Sequence, residues 1–301
     1  MVTLPIPNQS TRDAIYRHYE TTQEDSRRSH LGASIIGRSC SRQLWYTFRW
    51  ALTQHHDGRL LKLFRRGHDE EPRLVNDLRD VGVEVHVVDR DTGNQFRVSE
   101  VGGHFGGSMD GCALGVHEAP QTWHVLEFKT SGDKPFQKLK KDGVQSAKPE
   151  HFAQMQVYMH LTGMTRAFYM AVNKNDDEIY TERVKHDPAA AIRLLEKARR
   201  IIEAQSPPER IGDKTWYECK WCDYYGVCHD TNLPERNCRT CLHSTPEMHG
   251  HGEWSCAKGN EMGDGRERLE CHRFIPALTN MGEPTDVDGD NIVYENWTDR
   301  G

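Results

Sequence analysis

The sequence predicts an α/β fold followed by a cysteine-rich C-terminal module. Three features predict it. The apolar period changes from helical to two-residue after about Val81, a further helical stretch opens at Pro149 between runs of strand period, and beyond Pro207-Pro208 the composition turns to cysteine, glycine and histidine. With 301 residues and 36% hydrophobic content, the chain suits one sizeable catalytic core and a small appendage. No apolar run approaches the roughly 18 to 20 residues that span a bilayer. Met1 to Ser10 lacks the basic-then-apolar pattern of a secretory signal, so a cytoplasmic protein with no membrane partner is expected.

Taken in order, residues 1–33 read as a polar arm or loose helix, with Ser10 and Thr11 as candidate caps. From Ser34 to Trp50, Leu44, Trp45 and Phe48 recur at helical spacing. A second helix is expected over Arg59 to Val81, with Pro72 starting or kinking its second half. Val83 to Val87, Phe96 to Val98, Met109 to Val116 and Trp123 to Thr130 then read as strands of one sheet. Pro149 suits a helix start and Gly163 its end. Two more strands follow over 166–173 and 178–184, and Asp187-Pro188 opens a helix to about Ala204. This gives a core over 34–208, a first cysteine segment over 209–235 closing with Cys40, a second cysteine module over 236–281 and a polar tail over 282–301.

A formal net charge of -6 argues mildly against a protein that coats nucleic acid. Basic residues nevertheless cluster: Arg38, Arg42 and Arg49, then Arg59 to Arg66, then Lys134, Lys138, Lys140, Lys141 and Lys148. Such runs are usually solvated helix faces, but a basic groove around an acidic metal site has the same pattern.

Asp110 lies in Gly107-Ser108-Met109-Asp110-Gly111 at the end of a candidate strand. Glu127 and Lys129 lie two apart on the next, so a carboxylate and an ammonium share one face. Two carboxylates with a carbonyl and waters meet the oxygen preference of Mg²⁺. A neighbouring lysine can hold the attacking water or stabilise charge on a phosphate. Gln154 and Tyr158, four apart on one helix, stack on one face, and Gly67 to Pro72 offers a further carboxylate. Each piece alone is weak, since Glu-x-Lys is most often a solvated strand face and Asp110 a turn residue.

In this order the pieces resemble the RecB-like and lambda-exonuclease-like branch of the PD-(D/E)xK nucleases: Gly67 with Glu71, Gly107 with Asp110, Glu127 with Lys129, and Gln154 with Tyr158. The resemblance spans about Ser34 to Ala204. It implies a restriction-endonuclease-like core, a mixed central sheet flanked by helices, with a Mg²⁺ or Mn²⁺ site on Asp110, Glu127 and the Phe128 carbonyl. Glu71 is an additional metal contact for which His68 and Glu70 compete. It makes Lys129 the catalytic lysine, with Gln154 and Tyr158 expected to orient either that lysine or the DNA strand.

The nine cysteines, in a chain read as cytosolic, point to metal rather than disulfides. Cys219, Cys222 and Cys228 follow directly after the core, and Cys40 precedes it. This split arrangement resembles the iron-sulfur RecB-like exonucleases, including the CRISPR-associated ones, in which such a quartet holds a 4Fe-4S cluster. Zinc on the same thiolates is the alternative, although a split spacing is unusual for zinc ribbons. Trp45, Trp216, Trp221, Tyr224 and Tyr225 are expected around it. Cys238, Cys241, Cys256 and Cys271 suit a structural zinc module, with His243, His249, His251 and His272 as substitute ligands. Cys112 reads as a buried free thiol.

The expected function is a Mg²⁺/Mn²⁺-dependent DNA exonuclease acting on single strands or ends in recombination, repair or CRISPR-type processing. It would work alone, as a homo-oligomer or with partner proteins of those pathways, in a bacterial or phage-infected cell. Arg38, Arg42, Arg49, Lys138, Lys140 and Lys141, with aromatics near Cys40, would track the strand. A structure-specific endonuclease and a non-catalytic DNA-binding module are the rival readings.

Overall fold

In the computed structural model, residues 10–23, 27–262 and 271–279 are described, together with the backbone strands 284–288 and 291–294. Helix α1 (Thr11–Thr21) is capped by Ser10, whose hydroxyl accepts from the Asp13 N–H. A short strand, β1 (Leu31–Gly32), and a single 3₁₀ turn lead to α2 (Ser41–Phe48), which is capped by the Cys40 sulfur, accepting from the Gln43 N–H. Helix α3 (Gly58–Asp80), capped by Asp57, runs through Pro72 as one element. Its buried stripe of Leu74, Val75 and Leu78 holds it to the sheet where the missing proline N–H would weaken it.

The strands expected in one sheet divide between two. β2 (Glu84–His86), β5 (Gly111–Leu114), β6 (His124–Ser131), β7 (Arg166–Asn173) and β8 (Ile179–Lys185) form a mixed five-stranded sheet in the order β2-β5-β6-β7-β8. Only β6 and β7 run parallel. β3 (Arg97–Glu100) instead pairs with β4 (Phe105–Ser108), which also takes β1 on its other edge. Alternation predicts a strand but not its neighbour.

Along β6 the faces alternate. Leu126 and Phe128, with Phe168, Met170 and Val172 of β7, pack on the buried stripe of α3. Val125, Ala167, Tyr169 and Ala171 face the other way. They join Phe136 and Leu139 of α4 (Asp133–Ala147), Met155 of α5 (Pro149–Thr162) and Ile201 of α6 (Pro188–Glu203). Burying each such side chain contributes roughly 1.5–3 kcal/mol.

The cysteine-rich stretch shares this second core instead of building its own. Tyr224, beside the short helices α7 (Tyr217–Lys220) and α8 (Tyr225–His229), Val227 of α8, and Ile275 and Leu278 around α9 (Pro276–Thr279) belong to the same apolar cluster as Trp45. A hairpin of β9 (Ser244–Pro246) and β10 (Trp254–Cys256) lies against the β3–β4 turn, where a Cβ on Gly103 (φ +86°) would lie 2.3 Å from the Gly252 nitrogen. Within 282–301, β11 (Pro284–Asp288) pairs antiparallel with β12 (Asn291–Tyr294). The rest of that expected tail, and 263–270 and 280–281 of the expected zinc module, lie outside the described residues. No helix among the described residues is long and apolar enough to cross a membrane.

Candidate active site

β6 delivers Glu127 and Lys129 to one face, as their spacing predicts. The Lys129 ammonium pairs with Glu127 Oε1 and donates to the Phe128 carbonyl at 3.0 Å. Asp110, at the β4–β5 junction, accepts the Phe128 N–H on Oδ2 at 2.7 Å. The main chain of Phe128 is thereby tied on one side to Asp110 and on the other to Lys129. Glu127 is fully buried, and its Oε2 has no hydrogen-bond partner among the described residues.

An orphaned buried carboxylate oxygen costs more than about 1–3 kcal/mol unless a proton or cation meets it. Burial, reinforced by Asp110 and Glu71 and opposed by Lys129, pushes the Glu127 carboxyl up to about 7. Asp110 is also raised, chiefly by burial, as is Glu71 on α3, by burial and then by the Asp110 charge. Burial works against the Lys129 charge too, but Glu127 and Asp110 outweigh it and raise the ammonium pKa. Crowded carboxylates of this kind suit a divalent cation. His68, 3.7 Å from Glu71, lines the same cleft, whereas Glu70 turns to Arg73.

Gln154 and Tyr158 do share a helix face, but their donors go elsewhere than to the lysine. Gln154 donates to the Tyr158 hydroxyl at 3.3 Å, and that hydroxyl donates to the Ser108 carbonyl at 2.8 Å. The pair therefore holds the end of β4, two residues before Asp110. Gly107 makes room for it: a Cβ there would lie 2.5 Å from the Tyr158 hydroxyl oxygen.

Asp110, Lys129 and Glu71 open on a cleft of about 700 Å³, also lined by Arg28, His30, Arg97, Ser99 and His151. Arg28 and Arg97 are exposed cations suited to phosphate, which sequence reasoning missed. The alternation of β3, with Arg97 and Ser99 two apart, was the available signal; Arg28 left none.

None of the six expected DNA contacts lines this cleft. Arg49 is wholly buried and donates to the carbonyls of Ala204 and Arg239, each at 3.2 Å, so it cannot reach a phosphate. Arg42 is held inside by the Tyr46 hydroxyl and the Pro208 carbonyl, each at 2.9 Å. Arg38 meets Glu150 at 3.6 Å, and Lys140 pairs with Glu178. Lys138 and Lys141 are exposed on α4. Trp45 is buried with its indole N–H on the Ala204 carbonyl at 2.8 Å, which excludes base stacking.

None of the nine cysteines is in a disulfide. Cys40, Cys219, Cys222 and Cys228 line one small cavity with Tyr46, Tyr224 and Tyr225. Trp221, 88% exposed, and Trp216 do not line it. Cys238, Cys241, Cys256 and Cys271 line a second cavity with His243 and His272; His249 and His251 are not part of it. Among the described residues no group of three or more His, Cys, Asp or Glu closes to metal-holding geometry. Cys112 is buried, and burial raises its thiol pKa.

A profile of the PD-(D/E)XK nuclease superfamily matches residues 12–229. Among solved structures, the chain is similar to an alkaline exonuclease (LHK-Exo) from Laribacter hongkongensis, at 19% identity and a TM-score of 0.41, covering 62% of this chain and 90% of that one. LHK-Exo in complex with dAMP matches at 15% identity and a TM-score of 0.41, over 62% and 89% of the two chains. SSO0001 matches at 15% identity and a TM-score of 0.43, over 73% and 96%. No curated protein is significantly similar in sequence. Since the profile match spans most of the sequence, the chain belongs to the PD-(D/E)XK nuclease superfamily.

Proposed function

We propose that this nuclease is a Mg²⁺- or Mn²⁺-dependent DNA exonuclease that hydrolyses phosphodiester bonds on single strands or DNA ends. The observation that carries the reading is the orphaned Glu127 Oε2, buried beside Lys129, which with Asp110, Arg28 and Arg97 lines the cleft. Asp110, Glu127 and the Phe128 carbonyl would hold the cation, with Glu71 as a further contact, and the cation would supply Lewis acidity toward the phosphate oxygens. Lys129 would orient the attacking water and offset the charge that grows on the phosphate as the new P–O bond forms and the leaving oxygen departs. Gln154 and Tyr158 act as positioning residues, through Ser108, on the strand that carries Asp110. Arg28 and Arg97 would seat flanking phosphates. Convergence of Asp110, Lys129 and Glu71 on one cleft, with Glu127 buried beside Lys129, favours catalysis over a non-catalytic binding module.

Four thiols on one cavity suit either a 4Fe-4S cluster or zinc. We assign Cys40, Cys219, Cys222 and Cys228 to the cluster and Cys238, Cys241, Cys256 and Cys271 to zinc, both as structural ties. The test is incubation of anaerobically purified protein with end-labelled single- and double-stranded DNA and Mg²⁺ or Mn²⁺, alongside Lys129→Ala. Release of label from one end, abolished in the variant, is expected. A folded wild-type protein that cleaves neither substrate would refute the reading. Iron and zinc analysis of the same sample tests the two thiol assignments.

A further inference from the structure

We infer that His151 is a catalytic hydrogen-bond donor to the scissile phosphate, held in the required tautomer by Tyr169; the inference rests on the nuclease reading above. His151, Gln154 and Tyr158 stand at i, i+3 and i+7 on α5 and therefore share a face, and all three line the cleft with Asp110 and Lys129. Gln154 and Tyr158 use donors within the protein, on one another and on Ser108. His151 differs. Its Nδ1 lies 2.9 Å from the Tyr169 hydroxyl, while its Nε2 has no hydrogen-bond partner among the described residues. The two rings stack, with centroids 5.8 Å apart and planes at 29°.

Tyr169 explains which nitrogen carries the proton. It sits on β7 in register with Glu127 on β6, so it rises from the same sheet face. It is 1% exposed, and its hydroxyl meets no hydrogen-bond partner but His151 among the described residues. If the imidazole Nδ1 donated to it, the phenolic hydrogen would be buried without an acceptor, at a cost of roughly 1–3 kcal/mol. If Tyr169 donates to Nδ1, the buried hydroxyl and Nδ1 satisfy one another and the ring proton resides on Nε2, facing the cleft's ligand. Burial raises the Tyr169 pKa, which keeps the hydroxyl protonated.

The surroundings of the ring also favour its neutral form. Burial first, then the Lys129 and Lys148 charges, push its pKa down to about 3. A neutral N–H beside Lys129 adds a donor without adding a repelling charge, and it donates a hydrogen bond without giving up its proton. On this face of the cleft its partner is a phosphate oxygen whose negative charge grows as water attacks phosphorus.

Single-turnover cleavage of end-labelled DNA with Mg²⁺ would compare wild type, His151→Ala, Tyr169→Phe, the double variant and Lys129→Ala. Unfolding of each variant would be checked by circular dichroism. We expect His151→Ala to slow the chemical step on the order of 100-fold, with DNA affinity in Ca²⁺ little changed. Tyr169→Phe should slow it about tenfold and add nothing in the His151→Ala background. Nitrogen-15 spectra of histidine-labelled protein supply a readout independent of activity. A proton on Nε2 in wild type and a tautomer mixture in Tyr169→Phe support the inference. His151→Ala cleaving as wild type does, while Lys129→Ala is dead, overturns the role of His151 alone. A wild-type proton on Nδ1 overturns the role of Tyr169. Absence of cleavage by wild type overturns the nuclease reading beneath both.

Discussion

In the five-stranded sheet, β6 and β7 are paired over seven residues from Val125 to Ser131, with apolar side chains covering both faces. Among the described residues of 236–279 the strands are three residues long, and two buried guanidinium groups fasten this stretch to the core. Arg239 donates to the carbonyls of Phe48 at 3.1 Å and Ser29 at 3.0 Å, and its guanidinium lies 3.7 Å from the centroid of the Trp50 ring. Arg49 answers by donating to the Arg239 carbonyl, stacked between Trp45 and Trp254. Neither pairs with a carboxylate among the described residues. Burial lowers both, Arg49 to about 10 and Arg239, with help from the Arg49 charge, to about 9. The difference teaches where each region is vulnerable. Apolar packing is non-directional and forgives a change of shape, whereas a planar fork aimed at named carbonyls does not.

The comparison breaks most readily at Arg239. Arg239→Lys keeps the charge but loses the fork, leaving the Ser29 or the Phe48 carbonyl unpaired in the interior. It is expected to cost about 3 kcal/mol in denaturant unfolding, and a variant as stable as wild type would remove the clamp from the account. Gly107→Ala probes the sheet side where it meets the cleft. The new methyl should displace the Tyr158 hydroxyl from Ser108, at about 2 kcal/mol with reduced cleavage, and Tyr158→Phe in the same chain should recover part of the stability. The smallest effect is expected from Met170→Leu in the α3-facing cluster, below about 1.5 kcal/mol by thermal unfolding. A cost there equal to that of Arg239→Lys would erase the contrast.

The residues that announced themselves in the sequence are those whose partners are local. Glu127 and Lys129 meet because a strand has a period of two, and Gln154 meets Tyr158 because a helix brings i and i+4 together. The start of α6 was legible for the same reason: the Asp187 side chain accepts from the Ala190 N–H three residues on. β4 was hidden because Phe-Gly-Gly-Ser has too few side chains to display alternation. Arg49 misled because its solvation comes from carbonyls of Ala204 and Arg239, which no window around residue 49 contains. His151 was silent since its partner, Tyr169, lies on the next strand, and the cleft wall of Arg28 and Arg97 is assembled by tertiary placement alone.

The bond from Arg239 to Ser29 also orders events in time. Ser29 sits between Arg28 and His30, both of which line the cleft, so one wall is anchored by a residue translated 210 positions after it. A ribosome that has released residues 1–208 has already emitted Asp110, Glu127 and Lys129, yet not the guanidinium that holds Ser29. The cleft lining at Arg28 and His30 is thereby fixed only late in synthesis, and a nascent chain ending at 208 carries Asp110, Glu127 and Lys129 without the bond that holds it.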